Sequence, residues 1–371
     1  MRIGIVGNPE NRRVKDFQSA SLRLGKETPL CLSWIELLND SANVIRKLES
    51  ECDLVRLESP GENERVQQML IRRGGIDRAI EFGEIAYQRE QFLGWRKTLI
   101  QLESLNTRFM IHPTEIQAMS DKWTSHQRFV AHGLARPNAK LAPSNTERFR
   151  DFRNEFRTDM RTPAGRVFLK PRYGSSASGV CAYRWSKNRE MLIAPIEVQN
   201  TGDKVRLFNS LKIRQYTDSS MIKSILGQLL PQEMVCERWI PKARVSDVRF
   251  DLRILVVRGT ARHVVVRQSQ HPMTNLHLGN KRGKLSDVLV RFGDATVTEC
   301  RGLAEKATAC FPDSLYAGVD IILDTKGKAY VCEINAFGDL LPNLYDREET
   351  AYEAILHQTN EHMMSRVRTK S

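Results

Sequence analysis

The chain has 371 residues, 41% apolar and 27% charged, an ordinary globular composition and enough length for two or three domains. No apolar run approaches the ~20 residues of a membrane-spanning helix, and the opening "MRIGIVGNPENRR" reads as a strand and turn, not a secretion signal. A net charge of +13 suits polyanions such as nucleotide phosphates or acidic peptides, but the basic residues are dispersed among acids, which argues against nucleic acid as the main partner. The seven Cys, at 31, 52, 181, 236, 300, 310 and 332, are odd in number and form no CxxC pair. That argues against a disulfide framework or structural zinc site, and a reducing cytoplasm is the simplest reading.

Over the first ~110 residues strand-like and helix-like segments alternate, as in a small parallel-sheet domain. "RIGIVG" is a strand and "VKDFQSASLRLG" a helix ending at Gly25. "DLVRLESPG" is a second strand, "GENERVQQMLIRRGG" a second helix, and "TRFMIHP" a third strand stopped by Pro113. The turn "GNPENRR" after the first strand lies where such sheets face ligands, or is a simple connection. Thr114 to His132 is helical, with Gly133 as its cap, and "ERFRDFRNEFRTDMR" is a charged helix. "GRVFLKP" is a strand running into the small-residue loop "RYGSSASGV". The Lys of this segment precedes the glycines, so it is no Walker loop; alone it reads as a hairpin turn or a phosphate cradle.

Residues 194–202, "APIEVQNTG", read as loop, "SSMIKSILGQLL" as helix, and "EMVCERWIP" as a strand stopped by Pro241. "FDLRILVVRGTARHVVVRQSQ" is a hairpin turning at Gly259, "TVTECRGLAEKATACF" a helix, and "YAGVDIILDTKGKAYVCEINAF" a hairpin turning at Gly327. A last helix spans about Arg347 to Met364, and the basic tail "RVRTKS" frays. In the second hairpin Glu333 and Asn335 share a strand face, and a turn near Lys326–Gly327 sets Asp320 opposite Glu333. Three oxygen-bearing side chains among apolar neighbours suit Mg²⁺, which offsets the cost of unpaired carboxylates. The alternative is a solvent-facing acidic edge.

Taken in order, "SDKW", "VFLKPRYGSSASGV", "VCERWIP", "FDLRILVV", "VVVRQ", "TNLHLGN" and "GVDIIL…VCEINA" resemble the ATP-grasp family over residues 108 to 357. The likeness is strongest to the branch of ribosomal-protein glutamate ligases and peptide-modifying ligases. It implies an α+β/α/β chain with two subdomains clamping ATP after a small Rossmann-like pre-grasp domain. The divisions expected are 1–112, 113–192 with the mobile loop, and 193–371 with hinge, Arg hairpin and Mg site.

The resemblance assigns Lys122 and Lys170 to the nucleotide phosphates and the loop Gly174, Ser175, Ser176 to Gly179 to a lid over them. Glu237, Trp239 and Ile240 line the adenine cleft, although Trp239 equally suits plain core, and Asp247 is a candidate for the ribose. Arg253, Arg267 and Asn275 face the γ-phosphate, with His277 beside them, and Asp320, Glu333 and Asn335 bind Mg²⁺, one or two ions, with Mn²⁺ as a substitute. The activity implied is ligation of a carboxylate to an amine through an acylphosphate, on a peptidic or amino-acid-like substrate, with a homo-oligomer compatible. A phosphotransferase on the same fold, or a non-catalytic nucleotide- or RNA-binding protein, is the alternative. Two departures stand out: Ala177 in the lid where many relatives have Gly, and "NAFGDLLPN" after the metal strand, where Phe337, Gly338 and Asp339 border the acceptor site and Asp339 is a candidate amine contact.

Overall fold

The computed structural model describes residues 1–157, 164–201, 204–337 and 344–365. The first apolar run forms β1 (Ile3–Gly7), buried along its length as befits a parallel strand covered on both faces. It pairs in parallel with β2 (Leu30–Ser33) and β3 (Leu54–Leu57), and β3 pairs with β4 (Arg108–Phe109), giving the order β2-β1-β3-β4. The connections carry α1 (Arg12–Arg23), α2 (Trp34–Asn39), α3 (Ser41–Glu51), α4 (Glu64–Arg73) and α5 (Gln88–Leu102). Side-chain caps set their starts: Asn11 for α1, a Ser33–Glu36 capping box for α2, Asn63 for α4.

The two glycines at the α4–α5 crossing permit close approach rather than breaking the helices. A Cβ on Gly94 would lie 1.9 Å from the Leu70 carbonyl oxygen, and one on Gly74 2.0 Å from that of Glu90. On β3, Arg56 is fully buried, paired with Glu58, and lies over the rings of Phe17, Tyr316 and Tyr352 at 4.5, 5.0 and 5.5 Å. This cation–π cluster ties the N-terminal sheet to the C-terminal part of the chain.

The helical stretch 114–132 is two helices, α6 (Pro113–Ser120) and α7 (Lys122–Ala131). Asp121 between them is extended and caps α7 with its carboxylate, a local bond that competes with helix continuation. Gly133 ends α7 in the left-handed region (φ 65°). There follow β5 (Ala139–Leu141), α8 (Thr146–Phe152) with a 3₁₀ turn to Phe156, β6 (Gly165–Pro171), β7 (Cys181–Trp185), β8 (Glu190–Thr201), β9 (Lys204–Tyr216), α9 (Ser219–Leu229) and β10 (Met234–Arg238). The strands form an antiparallel sheet of order β5-β10-β6-β7-β8-β9.

Residues 194–201 are therefore strand, not the loop expected from their Pro, Gly and Asn content. The register shift between Ala194 and Ile196 explains the misreading: Pro195 sits in a bulge, where its missing N–H breaks no ladder bond. The edge of β9 is met by a segment from between α4 and α5. Glu84 bridges Phe208, Ile85 N–H donates to Leu207 O (2.7 Å), and Asn209 N–H donates to Gly83 O (2.8 Å). Arg206 adds ion pairs to Glu81 and Glu84 at 2.5 and 2.7 Å.

The C-terminal sheet has the order β14-β13-β12-β15-β16, built from β12 (Val248–Val257), β13 (Thr260–Ser269), β14 (Lys281–Gly283), β15 (Tyr316–Leu323) and β16 (Ala329–Asn335), with the short β11 (Arg244–Val245) on β12. Both hairpins turn at the glycines expected, Gly259 (φ 74°) and Gly327 (φ 84°). Helix α10 (Leu285–Ala309) covers this sheet, starts eleven residues before the stretch read as helical, and breaks at Gly293 (φ 81°). In place of one helix over 347–364 there is a tight turn between β17 (Tyr345–Asp346) and β18 (Glu349–Thr350), then α11 (Ala351–His357) and α12 (Thr359–Ser365). Arg347 and Glu348 at the turn have φ of 51° and 66°, and a Thr350–Glu353 capping box starts α11 afresh. The tail "RVRTKS" lies outside the described residues. Among those described, no helix is long and apolar enough to cross a membrane, and all seven Cys are free thiols.

Candidate active site

Side chains from both six-stranded sheets and from the N-terminal layer line one cleft of about 520 Å³. Lys170, near the end of β6, is 8% exposed; its Nζ lies 2.6 Å from Glu237 Oε2 on the neighbouring β10. Burial opposes its charge, and Cys332, Glu237 and Glu333 outweigh burial and raise its pKa, so it stays protonated. Lys122, the first residue of α7, reaches Glu333 Oε1 at 3.0 Å and also donates to the Gly174 carbonyl in the loop. Burial disfavours the Glu333 carboxylate, but Lys122 and Lys170 prevail and hold its pKa down at about 2.

Strand register places the acids. Asp320 pairs with Glu333 across β15–β16 and with Arg253 across β15–β12. Arg253 chelates Asp320 with Nε and Nη2, and Arg267 Nη2 reaches the same carboxylate at 3.1 Å. A bulge between Asp320 and Ile321 inserts Cys332 into β16; its Sγ accepts from Lys170 Nζ at 3.4 Å. Burial pushes that thiol up to about 11, so it is a neutral wall of the cleft.

The cleft is lined by Lys122, Lys170, Gly174, Ser175, Ser176, Glu237, Ile240, Arg253, Arg267, Asn275, His277, Asp320, Glu333 and Asn335. Gly179 and Trp239 are not among its lining residues. Gly179 turns the loop (φ 71°) where a Cβ would stand 2.8 Å from Pro171, and Trp239 packs on Phe168 at 5.2 Å in a small apolar cluster. Asp247 sits exposed at the β11–β12 turn, away from the cleft. Gly338 and Asp339 lie outside the described residues; Phe337 packs against Trp95 at 5.9 Å.

The sequence reading missed Lys242 and Asp251. Asp251, 3% exposed, accepts from Arg267 Nε (2.7 Å), Lys242 Nζ (2.9 Å) and the Thr274 hydroxyl. "FDLR" held the signal: Asp251 and Arg253 are two apart on one strand and share a face. The hairpin turning at Gly259 was legible, but the bulge between Ile254 and Val256 that shifts Asp251 opposite Arg267 was not.

The loop folds against the C-terminal half. Ser176 and Ala177 both have positive φ, 53° and 61°, and the Ala177 side chain is buried with Met273 and Leu278. A left-handed alanine costs about 1–2 kcal/mol, and burying its methyl returns roughly 0.8 kcal/mol. Ala177→Gly removes both terms and adds about 0.4–1 kcal/mol of unfolded-state entropy. Its stability should therefore stay within about 1 kcal/mol of wild type, and the ATP KM within about fivefold. Urea unfolding and ATP titration check this; a larger rise in KM would show that the methyl holds the loop in place.

Two antiparallel sheets sharing one cleft, with Lys122 and Lys170 beside a glycine-containing loop and Asp320, Glu333 and Asn335 on its wall, are the arrangement of the ATP-grasp fold. The chain belongs to the YheC/D-like ATP-grasp family, whose model matches residues 115–360. No curated protein matches it. Similar solved structures share the fold at low identity. D-cycloserine synthetase DcsG is 13% identical, with a TM-score of 0.59 over 98% of this chain and 100% of that one. The macrocyclase MdnC from Microcystis aeruginosa MRC, bound with precursor peptide MdnA, is 14% identical, with a TM-score of 0.55 over 97% and 100%. The D-alanine–D-alanine ligase from Bacillus anthracis complexed with ATP is 16% identical, with a TM-score of 0.55 over 100% and 98%.

Proposed function

We propose that this chain is an ATP-dependent carboxylate–amine ligase that forms an amide bond through an acylphosphate, on a peptidic or amino-acid-like substrate. The observation that carries the reading is the meeting of Lys122, Lys170, Arg253 and Arg267 with Asp320, Glu333 and Asn335 on one cleft. Two carboxylates and an amide oxygen, from adjacent positions of β15 and β16, are a hard oxygen set. These residues fit Mg²⁺: Asp320, Glu333 and Asn335 would hold it, and it would neutralise phosphate charge.

The rest falls to the chain. Lys122 and Lys170 exchange their carboxylate partners for phosphate oxygens as point charges. Arg253 and Arg267, already aligned by Asp320 and Asp251, face the transferring phosphoryl group. A substrate carboxylate oxygen bonds to the γ-phosphorus as ADP leaves; an amine nitrogen then bonds to the acyl carbon, expels phosphate and loses a proton. The lid, from Gly174 to Gly179, excludes the water that would hydrolyse the acylphosphate. Glu237 and Ile240 border the adenine.

The test assays ADP and free phosphate separately across pairs of acids and amines. A ligase releases phosphate only with both substrates present. A phosphorylated product without free phosphate would instead identify a phosphotransferase. No thermal shift with Mg–ATP would end the site reading altogether.

A further inference from the structure

The end of β6 and the start of α7 meet beside the cleft, and Arg172 joins them without lining it. Its guanidinium grips the Asp121 carboxylate by two parallel bonds, Nε to Oδ1 at 2.7 Å and Nη2 to Oδ2 at 2.6 Å. With side chains 21% and 10% exposed, this is not a screened surface pair. Asp121 is the N-cap of α7, so the same carboxylate also accepts from the Trp123 and Thr124 N–H groups and the Thr124 hydroxyl. The other N–H of that first turn belongs to Lys122, and it donates to the Arg172 carbonyl at 3.0 Å. Arg172 thus fixes the backbone of Lys122 twice, directly and through its cap.

The same residue sets what the Lys122 side chain reaches. Arg172 is the second residue of the turn 171–174, closed by Gly174 N–H donating to Pro171 O at 3.2 Å. The carbonyl of Gly174 accepts from Lys122 Nζ, and Glu333 Oε1 lies 3.0 Å from that ammonium. Lys122 therefore runs from the Arg172 carbonyl at its backbone to the Gly174 carbonyl at its tip. Arg172 is itself held from the far side. Its N–H donates to Glu233 O (2.8 Å) and its Nη1 to Glu233 Oε2 (2.9 Å), while Arg89, second residue of α5, takes Glu233 Oε1 at 2.5 Å. Glu233 has φ 61°, a left-handed backbone that its surroundings must offset in any residue but glycine.

We propose that Arg172 is a positioning residue for nucleotide binding: through the Asp121 cap and the turn into the loop it aims the Lys122 ammonium at the phosphates. Lysine carries its charge on a flexible four-carbon stem, so an ammonium on an unfixed backbone is spread over many positions. A fixed backbone and a resting acceptor at Gly174 O narrow that spread before ATP arrives, which lowers the cost of ordering on binding. The inference rests on the ligase reading above for the anion that Lys122 meets; Arg172 touches neither the nucleotide nor the metal in that reading.

The experiment measures Mg–ATP affinity by calorimetry, beside the urea midpoint, for the full chain and for Arg172→Met, Lys122→Met and the double variant. Arg172→Met should weaken Mg–ATP binding about tenfold, an effect of the size found between coupled neighbours. In the Lys122→Met background the same change should cost less than about twofold, because nothing is left to position. A merely structural role would lower the urea midpoint and leave the two losses additive. Arg172→Lys keeps the charge without the paired bonds and should weaken Mg–ATP about threefold; it replaces Arg172→Met in the cycle should that variant not fold. Wild-type affinity in a folded Arg172 variant, or the same loss with and without Lys122, would overturn the inference and leave the ligase reading standing. A wild type that does not bind Mg–ATP would overturn both.

Discussion

Lys170→Met should abolish ATP-dependent turnover and also weaken the fold, and the two effects should separate. The Lys170 side chain is 10% exposed and that of Glu237 11%, so removing the cation strands a buried carboxylate. Breaking such a pair from one side costs about 3–5 kcal/mol. Adding Glu237→Gln removes the stranded charge and should restore most of the urea midpoint. It should not restore nucleotide affinity, because no ammonium remains to meet the phosphates; kcat/KM for ATP should stay roughly 10²–10³-fold down. A double variant with wild-type ATP kinetics would remove Lys170 from the mechanism.

The second large effect contrasts two acids of the same proposed site. Asp320 has a 6% exposed side chain and bridges two guanidinium groups, whereas Glu333 is 25% exposed and holds one ammonium. Asp320→Asn should lose about 3–5 kcal/mol of stability together with all phosphate release. Glu333→Gln should lose phosphate release as completely, yet no more than about 2–3 kcal/mol of stability. Denaturant unfolding beside a phosphate assay at several Mg²⁺ concentrations separates them. Activity in Glu333→Gln at wild-type Mg²⁺ demand would exclude that carboxylate as a metal ligand.

How far the sequence reached depends on the range of the interaction that places each residue. Asp320, Glu333 and Asn335 were legible because strand period and a hairpin glycine are local, and two local facts set a register. Lys170 was legible because its strand and loop are contiguous. The first domain was read less fully. β2 has four residues, too few to show a period, and α5 contains Gly94, which looks like a breaker until α4 is packed on it. β8 was lost to Pro195, whose bulge exists only once β9 lies beside it. Asp251 was missed because the β-bulge that sets it opposite Arg267 cannot be read from strand period and turn glycine alone.

The segment at residues 83–85 has a wider meaning. A sheet edge is a template for any extended chain, which makes it both a route to aggregation and a ready site for adding a strand. On β9 the chain fills part of that position with its own backbone at Gly83, Glu84 and Ile85. An outside peptide adding there must compete with a tethered rival whose effective concentration is set by the fold and does not dilute. The two ion pairs of Arg206 strengthen that self-pairing and so protect the edge from strand addition.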